Sequence, residues 1–231
     1  MARTLVGIDG CTAGWLCVRN RNDHIDAWIS PTFNDVLERA GADALIGIDI
    51  PIGLPMTGSR ACDKEARSLL GWPRRNSVFP APIRGVIELR DYAAACEAHR
   101  RTDGRAVTKQ AFALFGKIRE IDESLQKKVE LRQQVHEVHP EASFAFMNGG
   151  SPMLHRKSSL AGRHERSALI ERTVCPSPLQ IGRSLQTHLF KPDDLLDAFV
   201  ALWSVDRHSR GDAKVLGGEH DETGLAMKIV A

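Results

Sequence analysis

No stretch of the chain approaches eighteen consecutive apolar residues, so no segment reads as a membrane-spanning helix. The opening "MARTLVGID" also lacks the apolar core and small-residue cleavage site of a secretory signal. A soluble, cytoplasmic protein without membrane contact is therefore expected. No charge of one sign dominates: 31 Lys and Arg face 29 Asp and Glu. Net charge thus names no polyanionic partner, and a pI near 8.3 permits nucleic-acid binding without arguing for it. The five cysteines, Cys11, Cys17, Cys62, Cys96 and Cys175, are odd in number, scattered and free of any C-x-x-C spacing. That pattern argues against a zinc site and a disulfide framework, and fits thiols in a reducing compartment. Repeats and low-complexity segments are missing too. What remains is 231 residues with 42% apolar side chains, enough for one large domain carrying a sizeable insertion.

The first fifty residues read as β-structure. "RTLVGID" and "GWLCVRN" are short apolar runs joined by the turn "GCTAG", and "RND" leads into a third run, "HIDAWIS". Asn34 is a candidate cap for the helical "DVLERA", and "ALIGIDIPIGLP" has the continuous apolar character of a strand buried on both faces. Three strands in succession and then a helical crossover predict a mixed sheet, with the fourth strand parallel to the first. From residue 57 to about 131 the pattern turns helical, in "ACDKEARSLLG", "LRDYAAACEAHRR" and "KQAFALFGKIREIDESLQKKV". This block reads as an insertion, because the β-like run "QQVHEVHPEASF" follows it. Residues 148–165 read as a mobile loop rich in Gly, Ser and basic residues. "KPDDLLDAFVALWSVDRHSRG" is the clearest helix, with Pro192 in its first turn and Gly211 past its end. A short strand, "LAMKIVA", closes the sequence.

Carboxylates end the two central strands. "VGID" at residues 6–9 recurs as "IGID" at residues 46–49, so parallel neighbours would deliver Asp9 and Asp49 side by side at the edge where α/β sheets place ligands. An Asp at such a position also caps turns, which is the plainer alternative. Asp194 and Asp197, three apart, share a helix face, and Ala198, Ala201 and Ser204 keep that face small enough for close approach to a sheet. The helix dipole accounts for Asp193 and Asp194, but poorly for Asp197, which lies beyond the first turn. Glu137 either joins these acids or faces water, with Glu141 as a second choice. Clustered acids repel and call for a cation, and oxygen ligands without cysteine suit Mg²⁺ or Mn²⁺. Two such ions about 4 Å apart can activate water and stabilise the leaving oxygen of a phosphodiester.

The phrases "GIDGCTAGW", "IDIPIGLP", "KIREID", "EVHPEASF" and "DDLLDAFVALW" together resemble a bacterial and archaeal domain-of-unknown-function family described as RNase H-fold nucleases. A carboxylate after the first strand, another after the fourth and D-x-x-D-A in the last helix are similar to the RNase H-like superfamily, and within it to the RuvC-type resolvase branch. The resemblance covers nearly the whole chain. It implies an α/β fold with an RNase H-like mixed five-stranded sheet flanked by helices, a helical insertion at about 57–131, and a single domain over 1–231. It implies a metal-dependent nuclease acting on RNA or DNA through two Mg²⁺ or Mn²⁺ ions. Asp9, Asp49 and Asp197 would then be catalytic ligands, with Asp194 in the other D-x-x-D position and Glu137 beside them. Lys157 and Lys109 are the leading candidates to hold phosphate, ahead of Lys117, Arg119, Arg74 and Arg75, although each such cation is more often solvated surface charge. His139 and His155 are weak acid–base candidates. Two other readings stay open: an actin-like ATPase or sugar-kinase relative, for which "GIDGCTAG" would bind ATP phosphates, and a non-catalytic nucleic-acid-binding or scaffold protein. Nothing in the sequence fixes the oligomeric state, and a dimer is compatible with it.

Overall fold

A computed structural model describes residues 3–231. The chain opens with β1 (Leu5–Cys11), β2 (Gly14–Arg21), β3 (His24–Ser30), α1 (Phe33–Ala40) and β4 (Leu45–Ile48). The helices α2 (Ala61–Arg74), α3 (Tyr92–Asp103), α4 (Lys109–Ala113) and α5 (Phe115–Lys127) follow. Then come β5 (Val135–Glu137), α6 (Pro140–Met147), α7 (Leu160–Thr173), α8 (Pro178–Ile181), α9 (Pro192–Ser209), β6 (Val215–His220) and β7 (Ala226–Val230). The residues form two compact units. The first contains the chain up to Asp49, Gln134–Lys214 and Val230–Ala231; the second contains Ile50–Gln133 and Val215–Ile229, so the block expected as a helical insertion lies inside it. Among the described residues no helix is long and apolar enough to cross a membrane, and the five cysteines form no disulfide.

The first unit is built on a mixed five-stranded sheet of order β3-β2-β1-β4-β5. The β1–β2 and β2–β3 pairs are antiparallel, whereas β1–β4 and β4–β5 are parallel, the arrangement expected of an RNase H-like sheet. Asn22 and Asp23 both take positive φ between β2 and β3, a conformation these two residue types tolerate in tight hairpins. α1 then carries the chain to β4. Its cap is Thr32 instead of Asn34: the Thr32 hydroxyl accepts from the Asp35 N–H at 3.2 Å, and the Asp35 carboxylate accepts from the Thr32 N–H at 3.0 Å. This reciprocal box starts the helix two residues earlier than the Asn34 signal predicts.

α9 lies against β1, β2 and β4, and the paired glycines of the "GID" repeats explain how. Gly7 and Gly47 are register partners. A Cβ on Gly7 would stand 2.0 Å from the Ala198 carbonyl oxygen, and one on Gly47 would stand 2.7 Å from that of Ala201. Only a missing side chain on the sheet and small ones on the helix allow this approach. Phe199, Leu196, Val200 and Leu202 then fill the core with Leu16, Val18 and Phe144, each large apolar side chain contributing about 1.5–3 kcal/mol by leaving water.

Two sequence expectations are corrected here. The β-like run "QQVHEVHPEASF" is a strand only to Glu137, because Pro140 starts a helix at its first position and the His139 imidazole accepts from the Ala142 N–H. The segment 148–165 is a loop only to residue 159. Ser159 accepts from the Gly162 N–H at 3.0 Å and caps α7, a helix whose weak amphipathicity hid it.

The second unit packs α2 against the two-stranded β6–β7 sheet. Buried Arg60 pairs with Asp63 at 2.6 Å, and half-buried Arg84 pairs with both Asp122 and Asp221. Asp221 also accepts the N–H groups of Leu54, Thr223 and Leu225, tying the turn between β6 and β7 to the start of the unit.

Candidate active site

The parallel β1–β4 register that pairs Ile8 with Ile48 carries Asp9 and Asp49 out together, and the Asp49 N–H donates to the Ile8 carbonyl at 3.1 Å. α9 brings Asp197 to the same place one turn into the helix, where its side chain is 0% exposed. Asp9 is buried and its carboxylate accepts from the Gly10 N–H at 2.7 Å. Burial first, and then Asp49 and Asp197, push the Asp9 carboxyl well above the ordinary range. Burial likewise raises Asp49 to about 7, with Asp197, Glu137 and Glu141 adding to the rise and Lys157 opposing it. Asp197 is raised by burial while Lys157 pulls it down. These acids are close enough to govern one another's protonation.

Lys157 is the cation among them. Its Nζ lies 2.6 Å from Asp197 Oδ2, and the fields of Asp197, Asp9 and Asp49 raise its pKa, so it stays charged. The lysine is held from below. Glu165 accepts the Leu154 and His155 N–H groups, and the fully buried Arg166 donates to the His155 and Gly162 carbonyls. Arg166 is neutralised in turn by Glu141 at 2.5 Å. Gly162 has no room for a side chain, since a Cβ would stand 1.9 Å from the Arg156 carbonyl oxygen. The segment bearing Lys157 is thus pinned to α7, which corrects its reading as a mobile loop.

Asp194 is different. Its carboxylate accepts from the Lys191 N–H at 2.8 Å, so it serves the helix start, although burial raises its pKa and its charge is felt at Asp9. Glu137 is buried at the end of β5 and its charge is felt at Asp49.

Residues 7–222, which include every acid just described, match the family described as "Protein of unknown function (DUF429)". The chain belongs to this DUF429 family. No curated protein and no solved structure matches it.

Of the residues singled out in this DUF429 chain, Asp9, Asp49, Asp197, Asp194, Glu137 and Lys157 gather in the first unit. Lys109 is an exposed residue at the start of α4 in the second unit. Arg119 is spent on the Ile87 carbonyl at 2.6 Å, and His139 on capping α6. Arg166 escaped sequence reasoning, because a basic residue on a weakly amphipathic helix looks like surface charge, whereas its partner Glu141 is the second choice named beside Glu137. Among the described residues no three His, Cys, Asp or Glu side chains stand ready to hold an ion as they are. The donor chemistry nonetheless fits a hard cation: Asp197 Oδ1 is buried without a hydrogen-bond partner, and the neighbouring carboxylates are oxygen donors held at raised pKa.

Proposed function

We propose that this protein is a divalent-metal-dependent nuclease of the RNase H-like superfamily, closest in plan to the RuvC-type branch, and that it hydrolyses phosphodiester bonds in RNA or DNA. The observation that carries the reading is the convergence of Asp9, Asp49 and Asp197, from two parallel strands and the helix crossing them, with one carboxylate oxygen left unbonded. Asp9, Asp49 and Asp197 would hold Mg²⁺ or Mn²⁺, with Glu137 behind Asp49 and Asp194 at the margin. Bound ions of this kind supply an activated water and stabilise the charge on the leaving oxygen.

Hydrolysis adds the oxygen of water to phosphorus, breaks one P–O bond and returns a proton to the oxygen that departs. The chain's own part is electrostatic. Above about pH 7 Asp49 loses its proton, which completes the negative pocket a cation requires. Lys157 keeps its charge and, once relieved of Asp197, is placed to meet the non-bridging oxygens of the phosphate. The test is Mn²⁺-dependent cleavage of labelled single-stranded, duplex and junction substrates by the wild type and by Asp197→Asn. Cleavage that persists in Asp197→Asn would refute the site. A second reading draws on the Lys157–Asp197 pair itself: a pocket already neutralised by a lysine suits a non-catalytic binding protein, and the absence of cleavage with retained nucleic-acid binding would favour it.

A further inference from the structure

We propose that a basic cleft in the second unit, walled by Lys64, Arg67 and Arg75 and flanked by Trp72, binds single-stranded nucleic acid through its phosphates and one stacked base. The cleft has a volume of about 450 Å³ and is lined by Lys64, Arg67, Ser68, Gly71 and Arg75. It carries three cations and no carboxylate. The acids nearest in sequence are committed elsewhere: Asp63 is buried against Arg60, and Glu65 accepts from the Gly217 N–H at 3.2 Å. Among the described residues Lys64 and Arg75 have no ion-pair partner, and Arg67 spends only its Nε, on the Val78 carbonyl at 2.9 Å. Burial lowers the Arg67 pKa, Asp63 opposes the shift, and repulsion from Arg105, Arg75 and Arg60 adds to it. A phosphate backbone would relieve that repulsion.

The backbone adds the second feature. At Gly71 φ is +56°, a left-handed conformation, and helical geometry stops at Gly71 and Trp72 before Pro73 resumes it. The break turns Trp72 outward, beside the lining residue Gly71, with 80% of its surface exposed. An indole this exposed is poorly placed in water, and among the described residues no ring or guanidinium packs on it. Cations that track a backbone beside an aromatic on which a base can stack are the two parts of a single-strand site. A duplex, whose bases are already stacked, could use the cations but not Trp72. Free phosphate would likewise ignore the indole.

The inference rests on the nuclease reading for its choice of a nucleic-acid ligand and deepens it by naming the single strand. Binding of a fluorescent oligothymidylate is measured by anisotropy in EDTA over a series of salt concentrations, alongside a duplex of equal length and a tripolyphosphate competitor. Lys64, Trp72 and Arg75 are exposed, so Lys64→Ala, Trp72→Ala and Arg75→Ala should fold. Each lysine or arginine variant should flatten the slope of log affinity against log salt by about 0.7. Trp72→Ala should leave the slope alone, weaken binding about tenfold and abolish a quench of tryptophan fluorescence. Equal binding by all variants, preference for the duplex, or full displacement by tripolyphosphate without any quench would overturn the proposal. Asp197→Asn separates the two claims, because it lies outside the cleft and should bind as the wild type does. Cleft-dependent binding without metal-dependent cleavage would sink the nuclease reading and leave this one standing. Cleavage that is indifferent to the cleft variants would do the reverse.

Discussion

Replacing Lys157 with methionine removes the cation that lies 2.6 Å from Asp197 while keeping most of its aliphatic stem. Breaking a fully buried ion pair costs about 3–5 kcal/mol, because the remaining charge is stranded away from water. Asp197 is fully buried, but Lys157 keeps 43% of its side-chain surface exposed. Solvent screening therefore reduces the expected loss to about 1–2 kcal/mol. At about 2–4 °C per kcal/mol, the metal-free melting temperature should fall by about 2–8 °C. The loss should depend on pH, and the sign follows from the protonation states. Burial holds the Asp197 carboxyl above its ordinary value and Lys157 pulls it back, so the variant's Asp197 rises further. A carboxyl raised in the folded state favours folding when protonated, and that contribution is lost as pH climbs through the folded pKa. The variant should thus lie closer to the wild type near pH 4 than near pH 8. Mn²⁺ should raise the melting temperature more in Lys157→Met than in the wild type, since no lysine competes for Asp197. Differential scanning fluorimetry with EDTA or Mn²⁺ at both pH values makes the comparison. A variant that melts with the wild type at both pH values would refute the electrostatic account of the pocket.

Asp49 gives a second pH signature. Its rise from 3.8 to about 7 corresponds to about 4 kcal/mol against the ionised form, so metal-free stability should decline from about pH 4 to about pH 7, and Asp49→Asn should flatten that decline in urea titrations. Gly7→Ala drives a methyl group into the backbone of α9, with the Ala198 oxygen at 2.0 Å and the Leu202 nitrogen at 2.2 Å; it should cost at least about 3 kcal/mol or prevent folding, well beyond ordinary overpacking. Gly116→Ala in α5, where the nearest atom is the end of the Arg119 side chain at 4.0 Å, should instead gain up to about 1 kcal/mol by chemical denaturation. Asp194→Asn keeps an oxygen to accept the Lys191 N–H and sheds a charge that burial disfavours, so it should stay within about 1 kcal/mol of the wild type and keep most Mn²⁺-dependent cleavage. Asp197→Asn should lose cleavage while its metal-free melting temperature stays close to the wild type, because Lys157 still has Asp9 and Asp49 to face.

The sheet was legible because its signals are local. Each of the first three strands is a short apolar run closed by a turn whose residues, such as Asn22 and Asp23, accept positive φ. The parallel partner of β1 could be read from the repeated Gly-Ile-Asp alone. The small side chains at Ala198 and Ala201 announced a helix able to reach those glycines. What failed were boundaries set by single side chains. Asn34 and Thr32 are both competent caps, and only the reach of Asp35 back to Thr32 decides between them. "EVHPEASF" is apolar and β-rich in composition, yet Pro140 imposes the helix from one position.

The candidate site divides along the same line. Asp9 and Asp49 were visible because each ends an apolar run, where a charge demands a partner. Asp197 was visible because it falls on the apolar face of a helix instead of in its first turn. Lys157 led Lys109 and the other candidate cations, yet "HRKSSLAGR" holds no local sign of what separates it from them in the structure. The difference lies in α7. Arg166, with no surface exposed, binds the carbonyls of His155 and Gly162 on one side and Glu141 on the other, and Glu141 is in turn felt at Asp49 and Asp197. The lysine is therefore positioned by a buried ion pair twenty-five residues apart in sequence, a relation that no local pattern encodes. A charge that costs several kcal/mol to bury is best explained by what it holds in place, and Arg166 holds the segment that brings Lys157 to the three carboxylates.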